Sequence, residues 1–352
     1  MQSRLYTLDA MRGIAAILVV LYHFNGHGSR PVPGGYLAVD FFFALSGFVL
    51  AQAYERPLRH GLAVRDFMMR RIVRLYPMFI LGVGLAAGKA MAQIAGDVPN
   101  AMTSTQVVGV LMTEALMLPS PIGNGSLFPL NGPAWSLFLE LLVNVAFAAW
   151  LTSMRSDWLK IVAILAGVVM CVAAWHANGL NVGWTWATWW GGVARVTFSF
   201  SVGVLIYRHG INSSGATALM IVPIVLLVAA LVIDVAEAWR PLYDISVALV
   251  LSPLLLIAGA SLQPSRLFHR ACEFLGDLSY PVYALHAPLL PVAGLAVRAL
   301  GLGSTLSMIV SVGGIGLFAW GVGRWVDPRG RRALAKVLAW GQALRRRSRD
   351  VS

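Results

Sequence analysis

A guanidinium and an imidazole stand in the first apolar segment of the chain. Arg12 and His23 lie in LDAMRGIAAILVVLYHFNG, residues 8–26, which is otherwise apolar enough to enter a bilayer. Eleven residues of α-helix advance ~16 Å and return to within ~20° of the same face, so the two side chains share one stripe at different depths. A cation at the centre of a bilayer costs roughly 3 kcal/mol or more, and such a residue therefore faces a partner, a ligand or water. Two on one stripe point to a functional track. A guanidinium is suited to an anion, and an imidazole to taking or giving a proton near neutral pH.

The other candidates follow from depth. Asp40, in GGYLAVDFFFALSGF, sits near the start of the second apolar segment, where it is expected to reach His23. A carboxylate bonded to one ring nitrogen fixes the tautomer and strengthens the other nitrogen as a base. The competing reading is that Asp40 neutralises a buried polar group or caps its helix. In NGPAWSLFLE, Asn131 and Pro133 read as a helix cap and first turn. Glu140 then falls at the depth of His23 and Asp40, with Ser136 one turn earlier on its face and Trp135 beside it. An ion pair with a distant Arg is the alternative for Glu140. Arg70, Arg71 and Arg74, in FMMRRIVRLYP, share one broad helical face and end on Tyr76. Positive-inside topology alone accounts for basic residues there. Their density, with Arg12 at similar depth, suggests a phosphate site. In FLGDLSYPVYALHAP, Tyr280, Tyr283 and His286 follow at three-residue steps, and His286 is expected in the inner half, far from His23. It reads equally as a ligand-track residue or a helix-packing one. Ser46 reads as a small residue at a close helix contact rather than as a nucleophile.

These residues need elements to hold them. Of 352 residues, 58% are hydrophobic and 12% charged, about half the charge of a soluble domain. That composition predicts an all-α polytopic membrane protein. Two cysteines give no disulfide framework and no metal cluster. The net charge of +12 collects at the ends of apolar segments, which suits membrane orientation and argues against nucleic acid as a partner. The first segment reads as a retained anchor rather than a cleaved signal.

Apolar stretches fall at 8–25, 36–54, 67–95, 106–118, 134–151, 159–176, 186–207, 216–233, 243–261, 278–299 and 304–325. The basic stretches 54–74 and 327–352 are expected in the cytoplasm with both termini, so the number of crossings is even. Segment 106–118 is short of the ~20 residues a span needs and contains Glu114. Removing it leaves about ten transmembrane helices around an intramembrane polar channel. Every other basic loop then falls inside, and 96–133 becomes an outer loop with a surface or re-entrant helix. The membrane domain is read as 1–326, followed by a basic tail, 327–352. In that tail Leu334, Val337, Leu338, Gly341 and Leu344 form a stripe that suits an interfacial helix. The tail reads equally as a positive-inside stop signal.

Taken together, these motifs resemble the membrane-bound acyltransferase-3 family, whose members acylate sugars of surface polysaccharides, lipid-linked glycans and related acceptors. The resemblance runs from Leu8 to about Arg329. Arg12 and His23 match its Arg-x10-His element, and VDFFFALSGFVL its second-helix signature. Arg71 and Arg74 before Tyr76-Pro77 match its Arg-x-x-Arg element, while NGPAWSLFLE and LGDLSYPVYALH match two later ones. Asp327 stands where the family usually has a glutamate. The resemblance implies cytoplasmic acyl-coenzyme A, by default acetyl, as a co-substrate with no tightly bound cofactor and no metal. Its phosphates would meet Arg12, Arg70, Arg71 and Arg74, with Tyr76 and His286 along its path. His23 would serve as general base, oriented by Asp40 and Glu140. Trp135, Ser136 and Tyr283 would line the site of a sugar acceptor on the outer side of the cytoplasmic membrane. Direct transfer and a transient acyl-His23 are both compatible with these residues. A transporter or flippase for lipid-linked sugars is the rival class. It would share the intramembrane charges, but no internal repeat is evident. An inactive relative acting as an assembly partner is a third reading, disfavoured by the presence of His23, Arg12 and Glu140.

Overall fold

A computed structural model describes residues 4–24, 31–211 and 217–349 of the chain. Its described residues form helices and connecting loops, with a single isolated bridge between Ser126 and Thr185. The rods in chain order are α1 Tyr6–His23, α2 Gly35–Arg59, α3 Val64–Ala95, α4 Ser104–Ala115, α5 Ala134–Leu151 and α6 Ser156–His176. They continue with α7 Trp189–His209, α8 Ile221–Val232, α9 Glu237–Ser261, α10 Arg266–Ala299, α11 Ser304–Trp325 and α12 Asp327–Arg349. Eight of them, α2, α3, α5, α6, α7, α9, α10 and α11, are long and apolar enough to cross a membrane. The apolar run of α1, a continuous helix, is interrupted by Asp9 and Arg12, and α8 is short. The apolar pattern predicts about ten transmembrane helices; eight meet the length and composition, and α1 and α8 fall on the other two expected segments. The outward faces of α6 and α11 carry exposed Ile164, Leu165, Trp175 and Leu317, a surface suited to the hydrocarbon of a bilayer.

α4 is the short outer helix expected in 96–133. It opens on a capping box between Thr103 and Gln106 and packs on α3. Its one acid, Glu114, is fully buried and accepts the backbone N–H groups of Leu130 (2.8 Å) and Asn131 (3.2 Å). Burial pushes the Glu114 carboxyl up to about 7, against the lowering effect of those two donors.

Two close helix pairs position the interior. α2 lies on α7 at Gly47, where a Cβ would come within 2.1 Å of the Phe200 carbonyl oxygen. α1 lies on α10 at Gly13, where a Cβ would meet the Leu275 carbonyl oxygen at 2.5 Å. Small residues let these backbones approach where larger side chains would hold them apart. α10 also packs on α3 and α11, and α12 folds back on α3. The tail is thus helical and in contact with the bundle at its start. Leu334 and Val337 precede the stretch from 340 on; Gly341 and Leu344, the far end of the expected stripe, lie outside the residues whose side chains are described.

Candidate active site

α1 and α10 run side by side in parallel register. Arg12 donates to the Gly276 carbonyl at 2.9 Å, and three turns further His23 Nδ1 lies 3.3 Å from His286 Nε2. The offsets, 264 and 263 residues, are nearly equal, as two parallel helices require. Both members of the Arg12–His23 stripe therefore face α10.

At the Arg12 level a cavity of about 540 Å³ opens between α1, α2, α3, α5, α10, α11 and α12. Five arginines line it: Arg12, Arg71, Arg74, Arg324 and Arg331. Glu140, Asp277 and Asp327 are its anions. Arg71 Nη2 donates to Glu140 Oε1 at 2.6 Å, and Ser46 Oγ donates to the same oxygen at 2.8 Å. Arg12 also pairs with Asp9 at 3.1 Å, and Arg331 with Asp327. Four buried polar atoms on or beside the cavity wall, Arg12 Nε, Arg71 Nε, Asp327 Oδ1 and Arg331 Nε, have no hydrogen-bond partner among the described residues. These atoms are placed to form hydrogen bonds with a ligand or with solvent in the cavity.

The cavity runs along α10 past Ser279 and Tyr280 and ends at Val39, Phe42, Ser136 and Tyr283. There the Ser136 and Tyr283 hydroxyls share a hydrogen bond of 2.5 Å, and Phe42 meets the Tyr283 ring edge-on at 5.9 Å. Behind this layer stand the two histidines. The Tyr283 and His286 ring centroids are 5.8 Å apart and those of His286 and His23 are 4.9 Å apart. His286 is fully buried, while His23 is exposed at the end of α1. Neither histidine lines the cavity, so the continuous channel expected from the sequence is interrupted by the Phe42–Tyr283 layer.

Several expectations are corrected. Asp40 does not reach His23. It is fully buried and holds Arg195 through two bonds, Nε to Oδ1 at 3.1 Å and Nη2 to Oδ2 at 2.8 Å. Arg195 further donates to the carbonyls of Val182 and Tyr36, and Trp135 covers the pair with its ring 5.6 Å from the guanidinium carbon. Trp135 is accordingly part of a sealed ion-pair housing rather than of the cavity wall. Glu140 lies with the arginines rather than at the depth of His23, because Arg71 draws it to the cavity. His286 is beside His23 rather than in the inner half, because α10 begins well before 278 and carries residue 286 further across. Arg70 is exposed and outside the cavity, and the Tyr76 hydroxyl turns to the Ala115 carbonyl at 3.0 Å. Asn131 does not cap α5. Its side chain donates to the Ala284 carbonyl at 3.2 Å, the acceptor that Pro288, four residues on and lacking an N–H, leaves free.

Arg195, Arg324 and Arg331 were not singled out in the sequence. An Arg in the middle of the 186–207 stretch is itself a signal, since it requires a buried partner. Arg324 stands at the end of the 304–325 stretch, where a cation reads as a plain orienting charge, and Arg331 is one of the basic residues of the tail. Among the described residues no cluster of His, Cys, Asp and Glu could hold a metal ion.

Fold and site together define a polytopic all-helical membrane protein with an arginine-lined cavity on one side of a histidine pair. The family model described as acyltransferase domain, Acyl_transf_3, matches residues 5–323. The chain belongs to the acyltransferase-3 family of membrane acyltransferases. It is 37% identical over 183 residues to protein 2 in the picA locus of Rhizobium radiobacter, covering 49% of this chain and 95% of that protein. It is 27% identical to the acyltransferase MdmB of Streptomyces mycarofaciens, over 72% of this chain and 67% of that one. It is also 26% identical to the peptidoglycan O-acetyltransferase OatA of Listeria monocytogenes serovar 1/2a, over 49% of this chain and 29% of that one. No solved structure matches the chain.

Proposed function

We propose that the protein transfers an acyl group, acetyl by default, from cytoplasmic acyl-coenzyme A to a sugar hydroxyl on the outer side of the cytoplasmic membrane. The observation that carries this reading is the cavity with five arginines at one end and a histidine pair one aromatic layer beyond the other. A coenzyme A diphosphate and 3′-phosphate match such a set of guanidiniums, whose forks suit phosphate oxygens. The unpartnered Arg12 and Arg71 Nε–H groups are the donors a phosphate would complete. The thin, flexible pantetheine arm fits the mixed wall along α10 towards Tyr283. For the thioester to meet His23, the Phe42 and Tyr283 rings must turn aside, so a donor-dependent opening belongs to the proposal.

His23, exposed at its end of α1, would take the proton of an acceptor hydroxyl. The hydroxyl oxygen attacks the thioester carbonyl carbon, the carbon–sulfur bond breaks, and the departing thiolate takes up the proton from His23. No bond to the enzyme is needed. Asp40, bound to Arg195, contributes to the bundle rather than to the reacting atoms. Glu140 would hold Arg71 in place for the donor. The names of relatives as acyltransferase and O-acetyltransferase agree with this chemistry. Mass spectrometry of surface glycans from cells with and without the protein tests it. The expected result is an acyl increment on glycan that is lost without the protein and in His23→Ala. An increment that persists in His23→Ala removes that residue from the mechanism, and identical glycans with and without the protein contradict a sugar acceptor.

A further inference from the structure

We propose that His286 is a positioning residue for His23, fixing the His23 tautomer so that Nε2 is the proton acceptor. The inference rests on the acyl-transfer reading above. It follows from which atoms can only accept. His286 Nδ1 lies 2.8 Å from the Tyr283 carbonyl oxygen and 3.2 Å from that of Val282. A carbonyl has no proton to give, so Nδ1 carries it and, in the neutral ring, Nε2 is a bare lone pair. His23 Nδ1 lies 2.9 Å from the Val19 carbonyl oxygen and 3.3 Å from that His286 Nε2. Both neighbours accept, so His23 Nδ1 also carries its proton. A doubly protonated His286 would set one N–H against another. With both rings neutral and protonated at Nδ1, every contact is attractive. The remaining free lone pair of the couple is His23 Nε2, on the exposed ring.

The consequence is specific to the reaction. When His23 Nε2 takes a proton, its Nδ1–H becomes a charged donor to His286 Nε2, and that bond strengthens as the positive charge appears. His286 is fully buried, so water does not compete for its nitrogen. In soluble hydrolases an aspartate does this work for a catalytic histidine. A neutral imidazole does it here without an additional fixed charge inside the bilayer. Among the described residues no carboxylate or cation pairs with either ring: His23 meets Tyr22 and Val19 of its own helix and His286 of α10, and His286 meets Tyr283 and Val282. The register of α1 on α10 holds the two rings together, and the bond from Asn131 to Ala284 ties that turn of α10 to α5.

The test uses the full chain in lipid nanodiscs, with acetyl-coenzyme A as donor and de-acylated surface glycan as acceptor. Histidine ¹⁵N spectra of the wild-type protein are expected to show His23 protonated at Nδ1 and bare at Nε2. His286→Ala is expected to lower kcat by about 100-fold, the scale of losing an oriented general base, with the KM for acetyl-coenzyme A within twofold. His286→Gln, whose amide oxygen can accept the same N–H, is expected to recover about tenfold of that loss. A wild-type His23 bare at Nδ1, or a His286→Ala enzyme with wild-type kcat, overturns the inference. The two failures are distinguishable. Wild-type turnover by His23→Ala removes the transfer reading itself, whereas an inactive His23→Ala beside a fully active His286→Ala removes only the positioning role.

Discussion

Two of the arginine–carboxylate pairs inside the bundle, Arg195–Asp40 and Arg71–Glu140, differ in how completely they are satisfied. Arg195–Asp40, between α7 and α2, is closed: every nitrogen and oxygen of the pair has a partner, and both side chains are shut off from solvent. Arg71–Glu140, between α3 and α5, is open: it lines a cavity, and Arg71 Nε is buried without a partner. A completed pair in a low-dielectric interior fixes one arrangement of helices, and removing either partner strands a charge. An incomplete pair beside other unmatched guanidiniums keeps capacity for an anion from outside. The comparison separates the charges that hold the bundle from those that would serve a ligand.

The largest effect is expected at the closed pair. Arg195→Ala leaves Asp40 without its cation and should cost about 3–5 kcal/mol, seen as a loss of folded protein in detergent. Arg195→Ala with undiminished thermal stability would break the distinction. Arg71→Ala at the open pair should leave the protein folded, because Glu140 keeps Ser46 as a donor and faces the cavity. A smaller effect sharpens the contrast with a carboxylate that has no cation. Glu114 binds its proton more tightly folded than unfolded, with its carboxyl pushed up to about 7 from 4.5. The folded state therefore holds more protons between those values, and stability should fall as pH rises across them, then level off. The decline is at most roughly 3 kcal/mol, read as melting temperature against pH. Glu114→Gln should flatten it, and an unchanged slope in that variant would assign it elsewhere.

The sequence made the apolar rods legible because a bilayer constrains length and composition so strongly. It also brought out Arg12, Arg71 and Arg74, since a cation near a span end stands out against an apolar background. Partnerships were harder to read. Asp40 was matched with His23 because their segments follow each other closely, yet its cation is 155 residues away, where only the packing of α2 on α7 joins them. His286 was set at the wrong depth because the apolar stretch at 278–299 marks only the later part of α10, which starts at Arg266. Seventeen residues of helix from His269 raise it by roughly 25 Å. The role of the tail was concealed too. Asp327 and Arg331 line the cavity, although their segment reads as a plain run of positive charge. Composition shows that charge is present and not what it packs against.

The central claim is a division of labour along α1, with donor binding at the arginines and proton transfer at His23. Binding of acetyl-coenzyme A to the purified full chain, measured beside acyl transfer for Arg71→Ala/Arg74→Ala and His23→Ala, tests it most directly. Loss of two charge-assisted contacts should weaken donor binding by about 100-fold or more in the arginine variant. His23→Ala should bind the donor as the wild type does and transfer nothing. Equal donor affinity in all three proteins would contradict the account, and so would a His23→Ala protein that still transfers the acyl group.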